Sequence, residues 1–195
     1  MAKKTTKGRK APAQRAKTNG KAKSADAIAL LKADHRAVEE LFEAFEAAKG
    51  SKAKQRLAHE ICMELIVHAQ IEEEIFYPAV KEAVEEDLYA EAHVEHDGAK
   101  VLIAEILEGD PEDDFYDANV KVLSEMIKHH VKEEEQRDGM FAQAKQGDVD
   151  LDALGEQLAE RKADLTNLYK RNGLPKPKTR TLKSIPRVEL GQPIA

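Results

Sequence analysis

Four stretches of this chain carry apolar residues at alternating spacings of three and four, which is the pattern of a helix with one buried face. No stretch shows the strict alternation of a half-buried strand. Abundant Ala, Leu, Glu and Lys with few Pro and Gly also favours helix over sheet. The four seams therefore predict an all-α protein built around a four-helix bundle. They consist of Leu31, His35, Val38, Phe42 and Phe45; of Ala58, Ile61, Leu65, His68, Glu72 and Ile75; of Tyr89, Ala92, His96, Ala99, Ile103 and Ile106; and of Val120, Leu123, Ile127, His130 and Glu134.

Turn residues set the ends of five predicted helices. Gly50, Pro78, Gly109 and Gly147 end or interrupt periodic segments, and Gly139 is a weak point within the fourth helix. The predicted helices cover residues 24–49, 51–77 with a further turn or two over 79–86, 87–108, 112–146, and a last segment that starts after Asp148 or Asp150 and runs to about Arg171.

Composition divides the chain into four predicted parts. Residues 1–23 contain nine Lys or Arg and no acid, whereas the rest has 22 basic and 37 acidic residues, a net charge of −15. This basic arm has almost nothing apolar larger than Ala, so it cannot offset its ordering entropy and is predicted to be disordered. Residues 24–146 form the bundle, 147–172 an additional helix and 173–195 an extended tail. The additional helix either packs on the bundle as a lid or forms a dimer surface.

Nothing in the sequence indicates export or insertion into a membrane. Cys62 has no cysteine partner, so a reducing compartment is expected. No apolar run approaches the roughly 20 residues that span a bilayer, and no apolar stretch follows the basic N-terminus as in a secretory signal. We therefore expect a cytoplasmic protein with no membrane contact. The arm could bind nucleic acid non-specifically by neutralising phosphates, although a solvated tail or contact with the acidic body is the alternative.

Polar residues interrupt the apolar seams in a regular way. Each seam contains one histidine, and two seams also contain a glutamate one turn later. A single histidine on an apolar face is more often a hydrogen-bonded core residue than a ligand. A buried glutamate is costly unless it is paired or binds a metal. In the pairs His68–Glu72 and His130–Glu134, positions i and i+4 share a helix face, so both side chains can reach one centre. Imidazole with carboxylate suits iron, zinc or manganese.

The segments around these residues resemble the hemerythrin-like, or HHE cation-binding, family. The matching pieces are Asp34-His35-Arg36, HAQIEEEIFYP, EAHVEHDGAK and HHVKEEE, and the resemblance covers residues 24–145. It implies an up-down four-helix bundle that holds two oxo- or hydroxo-bridged irons, with zinc or manganese as the lesser alternatives. The competing ferritin-like bundle uses Glu-x-x-His pairs, and here the histidine precedes the glutamate.

The resemblance also implies a set of metal ligands. Five histidines and two bridging carboxylates are usual in this family. Oxygen carriers have two histidines four residues apart on the third helix, but that position here is Ala92. His93 is the candidate for the fifth histidine, with a solvent-facing role as its alternative. If His93 does not bind, a water, a Tyr or an extra Glu completes the set. The six other implied ligands are His35, His68, Glu72, His96, His130 and Glu134.

Several neighbouring polar residues are not expected to bind metal. His129 is predicted at the rim of the site and His59 on the surface, and for Glu39 a surface position is favoured over ligation. Four glutamates flank the ligand positions and are expected to be exposed, although one of them could support a ligand by hydrogen bonding. They are Glu73, Glu74, Glu133 and Glu135.

Three functions follow from these observations. The leading hypothesis is a non-haem diiron protein that binds or senses O2 or related small ligands. The second is a diiron enzyme that decomposes peroxide or handles nitric oxide, which a missing fifth histidine would favour. The third is an interaction protein whose basic arm contacts nucleic acid.

Overall fold

The computed structural model describes residues 25–182, and every regular element within this range is helical. A π-helical segment, Glu72–Phe76, joins the second helix to the third, and a 3-10 turn, Lys81–Ala83, follows the third. The predicted all-α bundle with an extra C-terminal helix is confirmed. The helices are α1 (Ala27–Ala47), α2 (Ser51–Ile71), α3 (Tyr77–Val80), α4 (Glu86–Glu108), α5 (Tyr116–Glu135), α6 (Met140–Gln146) and α7 (Leu151–Asn172).

Local signals begin and end the long helices. The carboxylate of Asp26 accepts the Ala29 N–H at 2.8 Å at the start of α1, and Asp150 caps α7 in the same way. Gly50 separates α1 from α2 with a φ of 86°, a backbone conformation that favours glycine. These ends lie close to the ones that the sequence predicts.

The predicted fourth helix is wrong at its start and in its middle, although its predicted end at Gln146 is right. It was expected over residues 112–146, but α5 starts only at Tyr116, after a turn in which Asp110 accepts the Glu112 N–H at 2.9 Å. It stops at Glu135, and α6 begins separately at Met140. Gly139 stands in the break, where an added Cβ would lie 2.1 Å from the carbonyl oxygen of Glu133. The chain therefore turns at a position that only glycine fits.

Two apolar clusters fill the bundle, and a polar layer separates them. One cluster contains the start of α1, the end of α2 and residues of α3, α6 and α7. The other contains the second half of α1, most of the buried face of α2, and residues of α4 and α5. Between them lie the buried side chains of the histidine and glutamate seams. The polar layer is thus enclosed by dry core above and below.

The C-terminal elements cover one side of the bundle. Helix α7 packs against α1 and α2, as the lid alternative predicts. Residues 173–182, here called the C-terminal strap, follow α7 without regular structure and return to α4. No helix among residues 25–182 is long and apolar enough to cross a membrane. The basic arm and the end of the tail lie outside the described residues, so the proposed division into four parts stays a prediction.

Candidate metal centre

Two pairs of histidines face each other inside the bundle. The Nε2 atoms of His35 and His68 lie 3.1 Å apart, and those of His96 and His130 are also 3.1 Å apart. Each of the four residues is at most 8% exposed. One pair comes from α1 and α2 and the other from α4 and α5, so each pair joins two neighbouring helices.

Two buried glutamates connect the histidine pairs. Glu72 Oε2 lies 3.2 Å from His68 Nε2 and 3.4 Å from His96 Nε2, so it touches both pairs. Glu134 also touches both pairs, but through different oxygens. Its Oε2 lies 3.4 Å from His35 Nε2, and its Oε1 lies 3.7 Å from His130 Nε2. The two carboxylates thus bring oxygen ligands to both imidazole pairs, a combination of ligands that suits metal ions.

The remaining oxygens of these glutamates indicate that the layer is built for a cation. Oε1 of Glu72 and Oε2 of Glu134 are buried and accept no hydrogen bond from any residue of 25–182, and the nearest imidazole nitrogen to Glu134 Oε2 is His35 Nε2 at 3.4 Å. A buried carboxylate oxygen without a partner is strongly disfavoured unless it binds a metal. The ligand atoms of His35, His68, Glu72 and Glu134 converge within 4.8 Å, as do those of Glu72, His96 and His130. The donor set therefore fits metal ions.

The outer nitrogen of every inner histidine faces a carboxylate. Hydrogen bonds fix the ring orientation of His35, His96 and His130 in this way, whereas the contact of His68 is longer and not hydrogen-bonded. The four pairs are His35 Nδ1 with Glu135 Oε1 at 2.8 Å, His68 Nδ1 with Asp34 Oδ2 at 3.5 Å, His96 Nδ1 with Glu73 Oε1 at 3.1 Å, and His130 Nδ1 with Glu95 Oε2 at 2.8 Å.

Three of these carboxylates also form ion pairs with basic side chains. Glu135 pairs with Arg36 at 2.7 Å and with Lys32 at 3.1 Å. Asp34 pairs with Lys162 of α7, and Glu73 with Lys100 of α4, each at 2.5 Å. The outer shell is therefore close to charge balance before any metal binds. Because Lys162 belongs to α7, that helix takes part in the support of the centre.

The surroundings shift the pKa values of the inner groups. Burial alone would lower the pKa of His68, but the charge of Glu72, with help from Asp34, outweighs it and raises this pKa to about 10. His96 behaves similarly, and its contacts with Glu72 and Glu73 raise its pKa to about 9. Burial favours the neutral form of Glu72, yet the neighbouring His68 holds its pKa well below the usual range. Cations and protons thus compete for the same imidazoles.

Tyr77 adds a hydroxyl to the layer, which the seam pattern did not reveal. Its Oη lies 3.1 Å from Glu134 Oε1 and 3.2 Å from His96 Nε2. The π-helical segment explains this position, because the Tyr77 N–H bonds to the carbonyl oxygen of Glu72, five residues earlier. Burial and the charges of Glu134 and Glu72 raise the pKa of the phenol well above its usual range. Only the motif EIFYP could have indicated it, since a Tyr was among the alternatives for the fifth ligand.

The structure does not bring His93 into either ligand group among the described residues. Its ring lies edge-on against the rings of Tyr77 and Tyr89, at centroid distances of 5.3 and 4.9 Å. Its role as the fifth histidine ligand stays a prediction. The geometry favours Tyr77 on that side of the layer, next to His96.

Among the neighbouring polar residues, the structure agrees with some of the predicted positions and disagrees with others. His129 lies at the rim, where it is mostly exposed and lies 3.1 Å from Glu133, and His59 is exposed as expected. Glu39 is partly exposed and contacts Arg36. The expectation of exposure is wrong for Glu73 and Glu135, because they are turned inward against His96 and His35 and their side chains are only 11% and 20% exposed.

Comparison with known proteins agrees with this geometry. A family model described as the Hemerythrin HHE cation binding domain matches residues 26–142, which include all six residues of the bridged histidine pairs. The chain belongs to the hemerythrin HHE cation-binding family. The matched region ends within α6.

One solved structure and one further protein sequence are similar to this chain. The solved structure of a Hemerythrin HHE cation binding domain-containing protein from Mycobacterium kansasii is 27% identical, with a TM-score of 0.66 over 77% of this chain and 95% of that one. A DNA nickase from Nostoc sp. is 27% identical over 106 residues, which is 54% of this chain but only 30% of that protein. The chain therefore spans less than a third of the nickase.

Proposed function

We propose that this HHE protein is a cytoplasmic non-haem diiron protein that binds a small oxygen-derived ligand, with peroxide favoured over reversibly bound O2. The observation that carries the proposal is the pair of buried glutamates that each span both histidine pairs. A single zinc would leave half of these ligands unused. Two irons would supply the redox change and an exchangeable position for the ligand.

The chain's own residues have distinct tasks in this proposal. The four histidines would hold the irons through the nitrogens that face the layer, and the outer carboxylates would keep each ring in the required tautomer. Glu72 and Glu134 would supply carboxylate ligands and neutralise charge. The apolar clusters above and below exclude water from the layer. Tyr77 can hold a proton at its Oη beside Glu134 and His96, because its raised pKa keeps the hydroxyl protonated.

Tyr77 is the reason for favouring peroxide. An oxygen carrier of this family would have a further histidine on the helix that corresponds to α4. Here the protonated phenol of Tyr77 lies at the layer instead. A phenol can donate a hydrogen bond to a bound oxygen ligand, which a saturated set of imidazole ligands does not. Reversible binding of O2 or of nitric oxide remains the second candidate function.

Metal analysis and absorption spectroscopy of the protein purified in air test the central claim. We expect about two irons per chain, with near-ultraviolet charge-transfer absorption. A colourless protein that takes up one zinc per chain would refute the diiron proposal. Oxygen release on addition of peroxide would then separate an enzyme from a carrier.

The Tyr77→Phe variant tests the choice between peroxide and O2. The ring is retained and only the hydroxyl is lost, so iron content should stay near two per chain while peroxide decomposition slows by about 100-fold. The Tyr89→Phe variant is the matched control, because this ring also packs against Tyr77 and loses the same hydroxyl, but it is in neither ligand group. Equal loss in both variants would contradict the assignment.

A further role for the basic arm is proposed on composition alone. Its nine cations in 23 residues suit non-specific contact with nucleic acid. Retention on DNA that falls steeply with salt, and that disappears when residues 1–23 are deleted, would support this role.

A further inference from the structure

A cavity of about 370 Å³ lies between the histidine layer and the C-terminal strap. All four inner histidines contribute to its lining, and Pro175, Pro177 and Arg180 of the strap line it as well. The metal centre is therefore not sealed on this side by packed core. It opens into a space that the C-terminal elements cover.

The cavity is much larger than an oxygen molecule or a peroxide requires. One water occupies about 30 Å³ in the liquid, so two metal ions and a diatomic ligand would take up a small part of the space. The volume instead falls within the range of about 300 to 1,000 Å³ that is typical of sites for small organic molecules.

Apolar side chains make up much of the lining beyond the histidines. They come from α1, α2, α4 and α5, and Tyr169 of α7 adds an aromatic ring. An apolar chain in contact with these side chains would remove apolar surface from water, which favours its binding. The apolar lining residues of the bundle include Val38, Leu65, Ile66, Ala99, Ile103 and Ile127.

The acidic residues of the lining already have basic partners. Glu73 pairs with Lys100 at 2.5 Å, and Glu74 pairs with Arg161 at 2.8 Å. Asp34 and Glu64 both lie within 4 Å of Lys162. A charged ligand would have to compete with these pairs. The other basic residues of the lining, Lys176, Lys178 and Arg180, belong to the strap and are exposed, so the inner part of the cavity next to the histidines fits a neutral ligand better.

The strap is fixed in place as an outer wall by a buried carboxylate. Asp97 of α4 is fully buried, and its Oδ2 accepts the N–H of Arg180 at 2.7 Å and the hydroxyl of Thr181 at 2.7 Å. The N–H groups of Thr181 and Leu182 point to the same oxygen. Charge-assisted hydrogen bonds of this kind are stronger than neutral ones. The cavity is thus a built space with a defined wall.

We propose that this cavity binds a neutral amphiphile, with an apolar chain that lies under the strap and a terminal hydroxyl or hydroperoxyl group that reaches the histidine layer. The inference rests on the proposed function, because an oxygen ligand of the irons is what places the head group at the histidines. It adds the class of ligand: organic alcohols and hydroperoxides rather than hydrogen peroxide alone.

A series of linear 1-alkanols from ethanol to dodecanol tests the proposal on the full-length, metal-loaded protein. Binding is measured by calorimetry, which needs no reaction. Each added methylene should tighten binding about fourfold until the chain fills the cavity, after which the gain should stop. Saturable binding at one site per chain is expected. Affinity that is independent of chain length, or that lacks saturation, would overturn the proposal.

A cavity-filling variant locates the site. Ala69 lines the cavity and is only partly buried, so Ala69→Phe should fill the space and weaken octanol binding at least about tenfold. Ala53→Phe is the matched control, since Ala53 is a partly buried residue of the same helix that does not line the cavity. Ile127→Phe provides a second filling variant if Ala69→Phe does not fold. Unchanged octanol binding in a folded filling variant would refute the assignment.

The two proposals can fail separately. The calorimetric test does not depend on which metal is bound, so a protein that holds only zinc could still bind octanol. Conversely, a diiron protein that decomposes hydrogen peroxide could show no chain-length dependence, and then only the cavity proposal would fall.

Discussion

Each inner histidine lies between two different environments, and this division determines how the site can be perturbed. Its Nε2 faces the centre and its Nδ1 faces a carboxylate, which in three of four cases is paired with Lys or Arg. A change in the outer carboxylate therefore acts on the metal through the orientation and basicity of the ring, without removing a ligand.

The Asp34→Asn variant tests this support. It keeps the size of the side chain but removes the charge that faces His68 Nδ1 and Lys162. We expect metal affinity to fall by about 10- to 100-fold, measured by competition with a chelator. Asp87→Asn, an exposed position in the first turn of α4, should leave the affinity unchanged. Equal affinity in Asp34→Asn and the unaltered protein would argue against a supporting role.

The sequence predicted the burial of the six histidines and glutamates of the layer better than it predicted which residues surround them. Each of the six lies in an apolar seam, so helical spacing alone places it inside. Helical spacing did not predict Tyr77. It lies five residues after Glu72, and residues five apart share a face in a π-helical segment but not in an α-helix. Glu73 was expected to be exposed because a carboxylate next to an inner residue usually faces solvent, and its contact with His96 depends on tertiary packing.

Helix α7 makes a close backbone contact with the start of α1. Gly155 lies against the start of α1, where an added Cβ would be 2.4 Å from the carbonyl oxygen of Ala25 and 2.8 Å from the nitrogen of Ala27. Both contacts are with backbone, which cannot move aside as a flexible side chain can. The position of α7, and with it Lys162, depends on this glycine.

The Gly155→Ala variant should therefore destabilise the protein by about 1 to 3 kcal/mol, measured by denaturant unfolding. Gly98→Ala is the matched comparison within another helix. Its Cβ would meet only the terminal methyl of Met126, at 2.8 Å, and the gain in helix propensity of up to about 1 kcal/mol opposes the cost of moving that side chain. Similar losses in both variants would contradict the argument.

The attachment of the strap can be tested by limited digestion. Trypsin can cut after Lys178 and Arg180, and in the intact protein Asp97 holds the adjacent backbone. Loss of these hydrogen bonds in Asp97→Ala should cost about 1.5 kcal/mol or more, so cleavage should become at least about tenfold faster.

The control for that experiment is Glu108→Gln. Its partner Lys176 is in the same strap, but both side chains are largely exposed, at 67% and 90%. Exposed ion pairs contribute little, so cleavage should change little. Cleavage of Asp97→Ala at the rate of the unaltered protein would show that the strap is held elsewhere.

Element boundaries were predictable where a cap or glycine bounds a periodic segment, as at Gly50, Gly147 and Asp150. The break between α5 and α6 was not, because the residues on both sides of Gly139 continue the helical pattern. What ends α5 is the close approach of Gly139 to the Glu133 carbonyl, a contact that no spacing rule shows. The strap was unpredictable for a related reason, since its order comes from one carboxylate 83 to 85 residues away.

Across the whole molecule, a layer of four imidazoles and two carboxylates divides the core into two apolar clusters. Buried polar groups of this kind stabilise a fold only when their partners are complete. The stability of the fold is therefore expected to depend on bound metal, just as metal binding depends on the folded layer.

Removal of the metal should lower the thermal midpoint of unfolding. At a free metal concentration a thousandfold above Kd, binding contributes about 4 kcal/mol, which for a chain of this length corresponds to about 8 to 16 °C. The measurement is thermal unfolding before and after chelation and after metal is restored. A variant that lacks two inner histidines, His35→Ala with His130→Ala, should show no response to the chelator. An unchanged midpoint in the original protein would contradict this coupling.

The π-helical segment Glu72–Phe76 suggests how such a centre can change over evolutionary time. A segment of this type arises when one residue is inserted into a regular helix, and the rest of the helix then rotates while its axis is kept. A single-codon insertion can thus replace the residue that faces the layer without altering any inherited ligand. Reactivity within a lineage could diverge through the length of one helix as readily as through substitution.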